Sequence, residues 1–214
     1  MALLLSALYP ILDSHYLPAA AEARAAFLET AWRELEDAGV TLVQLREKDT
    51  ARDQIHEDAR TLLRSASGAM RLLLNDDAAL AKQTGSAGVH LGQKDMAAGQ
   101  ARLLLGAQAI LGVSTHTAAQ VEAADRLPVD YIAIGPVFAT STKPDAEPVV
   151  GLEGVRAARA LTRKPLVAIG GITLNNAANV REAGADSVAV ISALFGDPTR
   201  SPGKLAEDFL RRLR

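Results

Sequence analysis

Cysteine is absent from all 214 positions, which excludes disulfides, thiolate nucleophiles and thiolate metal sites together. Ligation is left to carboxylates, imidazoles and oxygen donors, and a reducing, cytoplasmic setting is expected. An excess of one charge is also missing: 23 Lys plus Arg face 25 Asp plus Glu, a formal net charge of -2. Sequence-independent nucleic-acid binding therefore has no global driving force, and any phosphate chemistry must be local. Nor does any stretch reach the roughly 18 uninterrupted apolar residues of a membrane span. The opening apolar run, Met1 to Leu12, has no basic start, contains Pro10 and leads into Asp13 without a small-residue cleavage site, so it reads as ending in a strand. What is present is 49% hydrophobic and 22% charged residues, enough for one large domain with a substantial core, and neither a disordered nor a fibrous chain. A soluble protein is expected.

Short apolar runs typical of buried strands occur at Leu8 to Leu12, Leu42 to Leu45, Leu72 to Leu74, Val89 to Leu91, Ile110 to Val113, Tyr131 to Ile134, Leu166 to Ile169 and Val188 to Ile191. None alternates with polar residues as a half-exposed strand would, so both faces should be covered. Helical stretches lie between them, the clearest at Ala20 to Ala38, where Phe27, Leu28, Ala31, Trp32 and Leu35 recur at helical spacing. Thr117 with Gln120 forms a capping-box pattern, Ser201 before Pro202 suits a helix start, and Gly39 and Gly184 suit helix ends. Eight alternating strand and helix units predict an α/β fold, a (β/α)8 TIM barrel occupying residues 1–214 as a single domain. The runner-up, a doubly wound open sheet, lacks a Gly-rich dinucleotide fingerprint after the first strand, and no linker marks a second domain.

Residues suited to chemistry fall just after the strands, on the face where such a barrel builds its active site: Gln44, Arg46, Lys48, Asn75, Asp76, Asp95, Ser114, Thr140, Lys143, Gly171 and Ser192. Alternation sends Gln44, Arg46 and Lys48 to one side, where an Arg fork and a Lys ammonium suit a diphosphate; a surface ion-pair cluster with Glu47 or Asp49 competes evenly. Asp76 and Asp95 suggest Mg2+, a hard cation that takes one or two carboxylates and completes its shell with water and phosphate oxygens. Helix capping is the competing role for these, and the favoured one for Asp77. The polar, proline-punctuated run from Pro136 to Asp145 is long enough for a lid. Gly170-Gly171 after the seventh strand and Ile191-Ser192 after the eighth match the usual barrel phosphate site. His90 and His116 lack metal-ligand spacing and read as hydrogen-bonded packing, His15 and His56 are uninformative, and no hydrolase-type nucleophile motif surrounds Ser114.

Together, Gln44-Leu45-Arg46-Glu47-Lys48, Asn75-Asp76-Asp77, Gly88-Val89-His90-Leu91-Gly92-Gln93, Gly112-Val113-Ser114, Gly135-Pro136-Val137-Phe138, Thr140-Ser141-Thr142-Lys143 and Gly170-Gly171-Ile172 resemble the motifs of the thiamine-phosphate synthase family, in order and over nearly the whole chain. The resemblance implies a Mg2+-dependent transferase that couples hydroxymethylpyrimidine diphosphate to a thiazole phosphate, or its carboxylated form, giving thiamine phosphate and diphosphate. It also implies roles by position. Gln44, Leu45, Arg46, Glu47, Lys48, Asn75, Ser114 and Lys143 would bind the pyrimidine diphosphate, with Arg46, Lys48, Ser114 and Lys143 acting in catalysis. Asp76 and Asp95 would bind Mg2+, and Thr140, Ser141, Thr142, Gly171, Ile191 and Ser192 the thiazole phosphate. Lys94 stands where the family often has an acid, and Pro10 is unusual in the first strand. The partners implied are small molecules, with neither nucleic acid nor membrane, and a homo-oligomer is left open. Two rivals are a thiazole tautomerase on the same barrel, which lacks much of the pyrimidine-diphosphate apparatus, and a non-catalytic phosphate-binding barrel.

Overall fold

A computed structural model describes residues 5–140 and 147–214. Eight parallel strands close into a barrel in sequence order: β1 (Leu8–Asp13), β2 (Leu42–Arg46), β3 (Arg71–Asn75), β4 (Gly88–Leu91), β5 (Ile110–Thr115), β6 (Tyr131–Ile134), β7 (Leu166–Ile169) and β8 (Ser187–Val190). The ring is closed by β1 against β8, with Leu8 opposite Val188 and Pro10 opposite Val190. The proline is accommodated, and β1 runs buried through all six of its residues.

The connecting helices are α1 (Ala21–Asp37), α2 (Arg52–Arg64), α3 (Ala78–Thr84), α4 (Ala98–Leu105), α5 (Ala118–Asp125), α6 (Gly151–Leu161) and α7 (Ala177–Glu182). After β8 come two helices, the short α8 (Ser192–Phe195) and α9 (Pro202–Arg212), so strict alternation ends at the last strand. Four residues are too few for α8 to show a helical period in the sequence. α9 lies against α1, where Ser201 Oγ donates to Glu34 at 2.6 Å and closes the helical ring.

Caps set several of these boundaries. Ser201 Oγ accepts the Lys204 amide at 3.2 Å with Pro202 in the first turn, and Thr117 Oγ1 accepts the Gln120 amide at 3.2 Å. The return bond of the capping box is displaced by one residue, since Gln120 Oε1 accepts from His116 N at 2.7 Å. Gly39 and Gly184 follow α1 and α7 at φ 90° and 112°, backbone angles that a side chain resists.

Strand alternation divides the core in two. Outward residues such as Val43, Leu45, Leu72, Leu74 and Val89 pack beneath the helices, each large aliphatic side chain stabilising by roughly 1.5–3 kcal/mol. Inward residues fill the barrel with Tyr9, Ile11, Leu42, Leu73, Tyr131 and Val167. Because both faces are covered, no strand shows polar alternation, as the sequence led us to expect. Inward-pointing Gln44, Arg46, Asn75 and Ser114 sit toward the C-terminal ends of their strands, whereas Ser187 is buried at the start of β8.

Candidate active site

At the end of β2, alternation places Gln44 and Arg46 on the barrel side. Gln44 is buried and its Nε2 donates to Tyr9 Oη at 2.9 Å. Arg46 forms an ion pair with buried Asp13, the last residue of the neighbouring strand, in register with it. Just beyond, Lys48 is exposed and pairs with Asp76 at the end of β3. The intervening side chains point the other way. Leu45 is in the outer core, and Glu47 is buried against Arg24 of α1 at 2.5 Å, while Arg24 also holds Asp58 of α2 at 2.5 Å. What Leu45 and Glu47 offer to the mouth is therefore backbone. The ion pairing expected of a mere surface cluster, with Glu47 or Asp49, is replaced by pairs that link adjacent strand ends.

Asp76 adopts φ 65°, an angle uncommon for a residue with a side chain and costing of order 1–3 kcal/mol. Its amide is held by His90 O at 2.8 Å. That backbone turn brings the Asp76 carboxylate to Lys48 and to Asp95. The Asp95 carboxyl is held above the usual range, first by partial burial and then by its hydrogen bond to Asp76 and that group's charge, with Lys48 acting in the opposite sense. Asp95 Oδ2 accepts the Gly92 amide at 2.6 Å. Neither Asp76 nor Asp95 caps a helix: Asp77 does so, accepting the Leu80 amide at 2.7 Å, and Ala97 precedes α4.

Two mutually repelling carboxylates with a lysine beside them suit a hard divalent cation, which would relieve the repulsion that raises Asp95. Among the described residues no group of three or more His, Asp or Glu could hold a metal. A cation here would thus draw its other donors from water and from ligand oxygens, the habit of Mg2+.

Inside the mouth, between β4, β5 and β6, His90 connects the site to the barrel interior. Its Nε2 lies 2.8 Å from Ser114 Oγ and its Nδ1 lies 2.7 Å from Tyr131 Oη. Tyr131 Oη lies 3.0 Å from Tyr9 Oη, which takes the bond from Gln44. Burial pushes the His90 imidazole down to about 4 and the Tyr9 phenol up to about 12, so both are neutral near pH 7. His90 and His116 are hydrogen-bonded as expected, the latter through Nδ1 to Gly135 O at 2.6 Å.

On the far side of the mouth, Gly170 and Gly171 have φ 105° and 62°. A Cβ on Gly171 would lie 2.5 Å from Ala139 O, because the segment after β6 crosses directly over the glycines. Val137 N and Phe138 N donate to Ile169 O and Gly170 O at 2.9 and 3.0 Å. The same segment is pinned at its return, where Val150 N donates to Pro136 O at 2.8 Å. Ile191 precedes α8 without any side-chain cap, and that helix begins at Ser192, directly after β8. Thr140 is half-buried; Ser141, Thr142 and Lys143 lie outside the described residues.

Gln44, Arg46, Lys48, Asn75, Asp76, Asp95, Ser114, Gly171, Ile191 and Ser192 thus all sit at the C-terminal ends of the strands or just beyond them. Sequence reasoning missed Tyr9, Asp13 and Tyr131, and gave His90 no link to Ser114. The signal was available in part: Tyr9, Ile11 and Asp13 share one face of β1 by alternation.

Residues 8–194 match the model of the family described as thiamine monophosphate synthase. Thiamine-phosphate synthase of Koribacter versatilis is 49% identical over 181 residues, 85% of this chain and 84% of that protein. The protein of the same name from Nitrosococcus oceani is 41% identical, covering 88% and 84%. Among solved structures, thiamine phosphate pyrophosphorylase from Pyrococcus furiosus superposes with a TM-score of 0.82 at 28% identity, covering 97% of this chain and 96% of that one.

Proposed function

This chain belongs to the thiamine monophosphate synthase family, and we propose on that basis that it joins hydroxymethylpyrimidine diphosphate to a thiazole phosphate, releasing diphosphate and forming thiamine phosphate. The observation that carries the reading is the meeting of Lys48, Asp76 and Asp95 beside Arg46 and Ser114 at one mouth of the barrel. A tautomerase of the thiazole alone has no use for this apparatus.

In the proposed reaction the bond between the pyrimidine methylene and the diphosphate oxygen breaks first, and the aminopyrimidine ring stabilises the resulting cation by resonance. The thiazole nitrogen then supplies the electron pair of the new C–N bond. No protein nucleophile is needed. Lys48, Arg46 and Lys143 would offset the charge that grows on the departing diphosphate, where charge-assisted bonds are strongest. Ser114 would donate to the same group, and Asn75, Gln44 and the backbone of Leu45 and Glu47 would seat the pyrimidine. Thr140, Ser141, Thr142, Gly171, Ile191 and Ser192 would hold the thiazole phosphate beneath the segment after β6. That segment would also exclude water from the cation.

Mg2+ on Asp76 and Asp95 would supply further charge neutralisation at the diphosphate. Lys48, which pairs with Asp76, would turn to the diphosphate when it binds. The substrates are small molecules and the cytoplasm is the proposed place of action. Among the described residues no helix is long and apolar enough to cross a membrane. One barrel carries a whole set of these groups, so a second copy is not required for the chemistry.

The test is direct. Purified protein, both substrates and Mg2+ are mixed, and thiamine phosphate is followed as its fluorescent oxidation product, with a chelator control. Product that disappears with the chelator is the expected result. No product from folded protein that still binds the thiazole phosphate would replace this reading with the tautomerase.

A further inference from the structure

The hydrogen bonds behind Ser114 form an unbroken chain, and with Gln44 donating at its far end one direction gives every hydrogen in it an acceptor. Each tyrosine hydroxyl has one hydrogen, and neutral imidazole has one N–H. Gln44 donates its Nε2–H to Tyr9 Oη, at 2.9 Å. The Tyr9 hydrogen, buried in the barrel, then finds its acceptor in Tyr131 Oη, at 3.0 Å. Tyr131, having accepted, gives its hydrogen to His90 Nδ1, at 2.7 Å. With Nδ1 accepting, the imidazole hydrogen is on Nε2 and is donated to Ser114 Oγ, at 2.8 Å. Ser114 has accepted from the protein, so its own hydrogen is left for the mouth of the barrel.

We propose that His90 is a positioning residue, fixed as the Nε2–H tautomer by the chain that starts at Gln44, and that it thereby turns the Ser114 hydroxyl hydrogen toward an anionic diphosphate oxygen of the substrate. The choice of ligand rests on the synthase reading; the tautomer does not. The reverse direction, with the Gln44 amide oxygen accepting from Tyr9, would spend the Ser114 hydrogen on His90 and face only lone pairs toward the anion.

The packing is built for this chain. His90 of β4 is opposite Gly112 of β5, and Gly112 is opposite Tyr131 of β6. A Cβ on Gly112 would lie 2.0 Å from Tyr131 Cζ, so the missing side chain is what allows the phenol to cross β5 and reach the imidazole, with which it stacks at 5.5 Å between ring centroids. Burial keeps both phenols protonated near pH 7, which preserves their hydrogen count.

Long-range 1H–15N correlation on 15N-histidine-labelled protein reads the tautomer without any substrate, with the His90 signals assigned by elimination against Gln variants of His15, His56 and His116. Protonated Nε2 and bare Nδ1 are expected; the Nδ1–H form overturns the proposal. In the second arm, Tyr131→Phe should lower kcat/KM for the pyrimidine diphosphate about 10-fold, the loss of one hydrogen-bond equivalent, and change it less than about two-fold in a Ser114→Ala background. Losses that simply multiply show that Tyr131 acts by packing alone and overturn the coupling. A protein with the Nε2–H form but no synthase activity overturns the ligand named for Ser114 and identifies the synthase reading as the part that failed.

Discussion

Replacing Glu47 with Gln tests the physical account of how the end of β2 is held. Glu47 and Asp58 share the single Arg24 guanidinium, with one carboxylate bonded at each side. Burial, followed by the hydrogen bond and charge of Asp58, pushes the Glu47 carboxyl up to about 8 against the pull of Arg24. Glu47 Oε1 is buried with no hydrogen-bond partner, and Gln puts an uncharged amide there while retaining an acceptor for Arg24. The sign follows from proton counting. From the ordinary carboxylate range up to about 8, the folded protein holds a proton that the unfolded chain has released, so the parent loses stability as pH rises through that window. One whole proton would give a slope of about 1.4 kcal/mol per pH unit; sharing with Asp58 reduces it to roughly 1 kcal/mol per unit. Between pH 5 and pH 8 the Gln variant should therefore gain roughly 2–3 kcal/mol relative to the parent. Trp32 is the only tryptophan, fully buried on the same helix as Arg24, so its fluorescence during urea unfolding reports the relevant packing. A stability difference that stays flat with pH, or moves in favour of the parent as pH rises, would show that Glu47 is ionised throughout and refute the reasoning.

Gly112→Ala places a methyl group 2.0 Å from the Tyr131 ring, and should lower stability by about 2 kcal/mol or more, measured as the urea midpoint; a change within about 0.5 kcal/mol would mean that the ring moves freely. Asp76→Asn should raise the Mg2+ concentration for half-maximal activity about 10-fold, and an unchanged titration would remove Asp76 from the metal site. Asp77→Ala loses the α3 cap and should cost about 1 kcal/mol of stability while leaving the Mg2+ titration as in the parent, so a shifted titration would contradict its assignment as a cap. Lys143→Ala should lower kcat more than it weakens pyrimidine binding; an unchanged kcat would reject its role at the leaving group.

Much of the architecture was legible in the chain. Eight apolar runs without polar alternation specified strands covered on both faces, and all eight occur, most of them within a residue or two of the expected ends. Capping by Ser201, Thr117 and Asp77 was readable because a cap is a local bond between a side chain and an amide three residues away. The position of Asp76 and Asp95 after their strands was equally plain, and motif order pointed to the family.

Other features depended on neighbours distant in sequence. Period-two alternation placed Glu47 opposite Lys48, but its pairing with Arg24 arises only when α1 packs behind β2. His90 read as a packing residue because its partners, Ser114 and Tyr131, are 24 and 41 residues away and meet it only across adjacent strands. The left-handed turn at Asp76 is likewise held by a carbonyl of the next strand. The sequence by itself determined the elements, their order and the end of the barrel where polar groups gather, because periodicity, capping and strand alternation act within a few residues. Barrel closure decided which of those groups touch, because such bonds join strands whose register exists only in the folded ring.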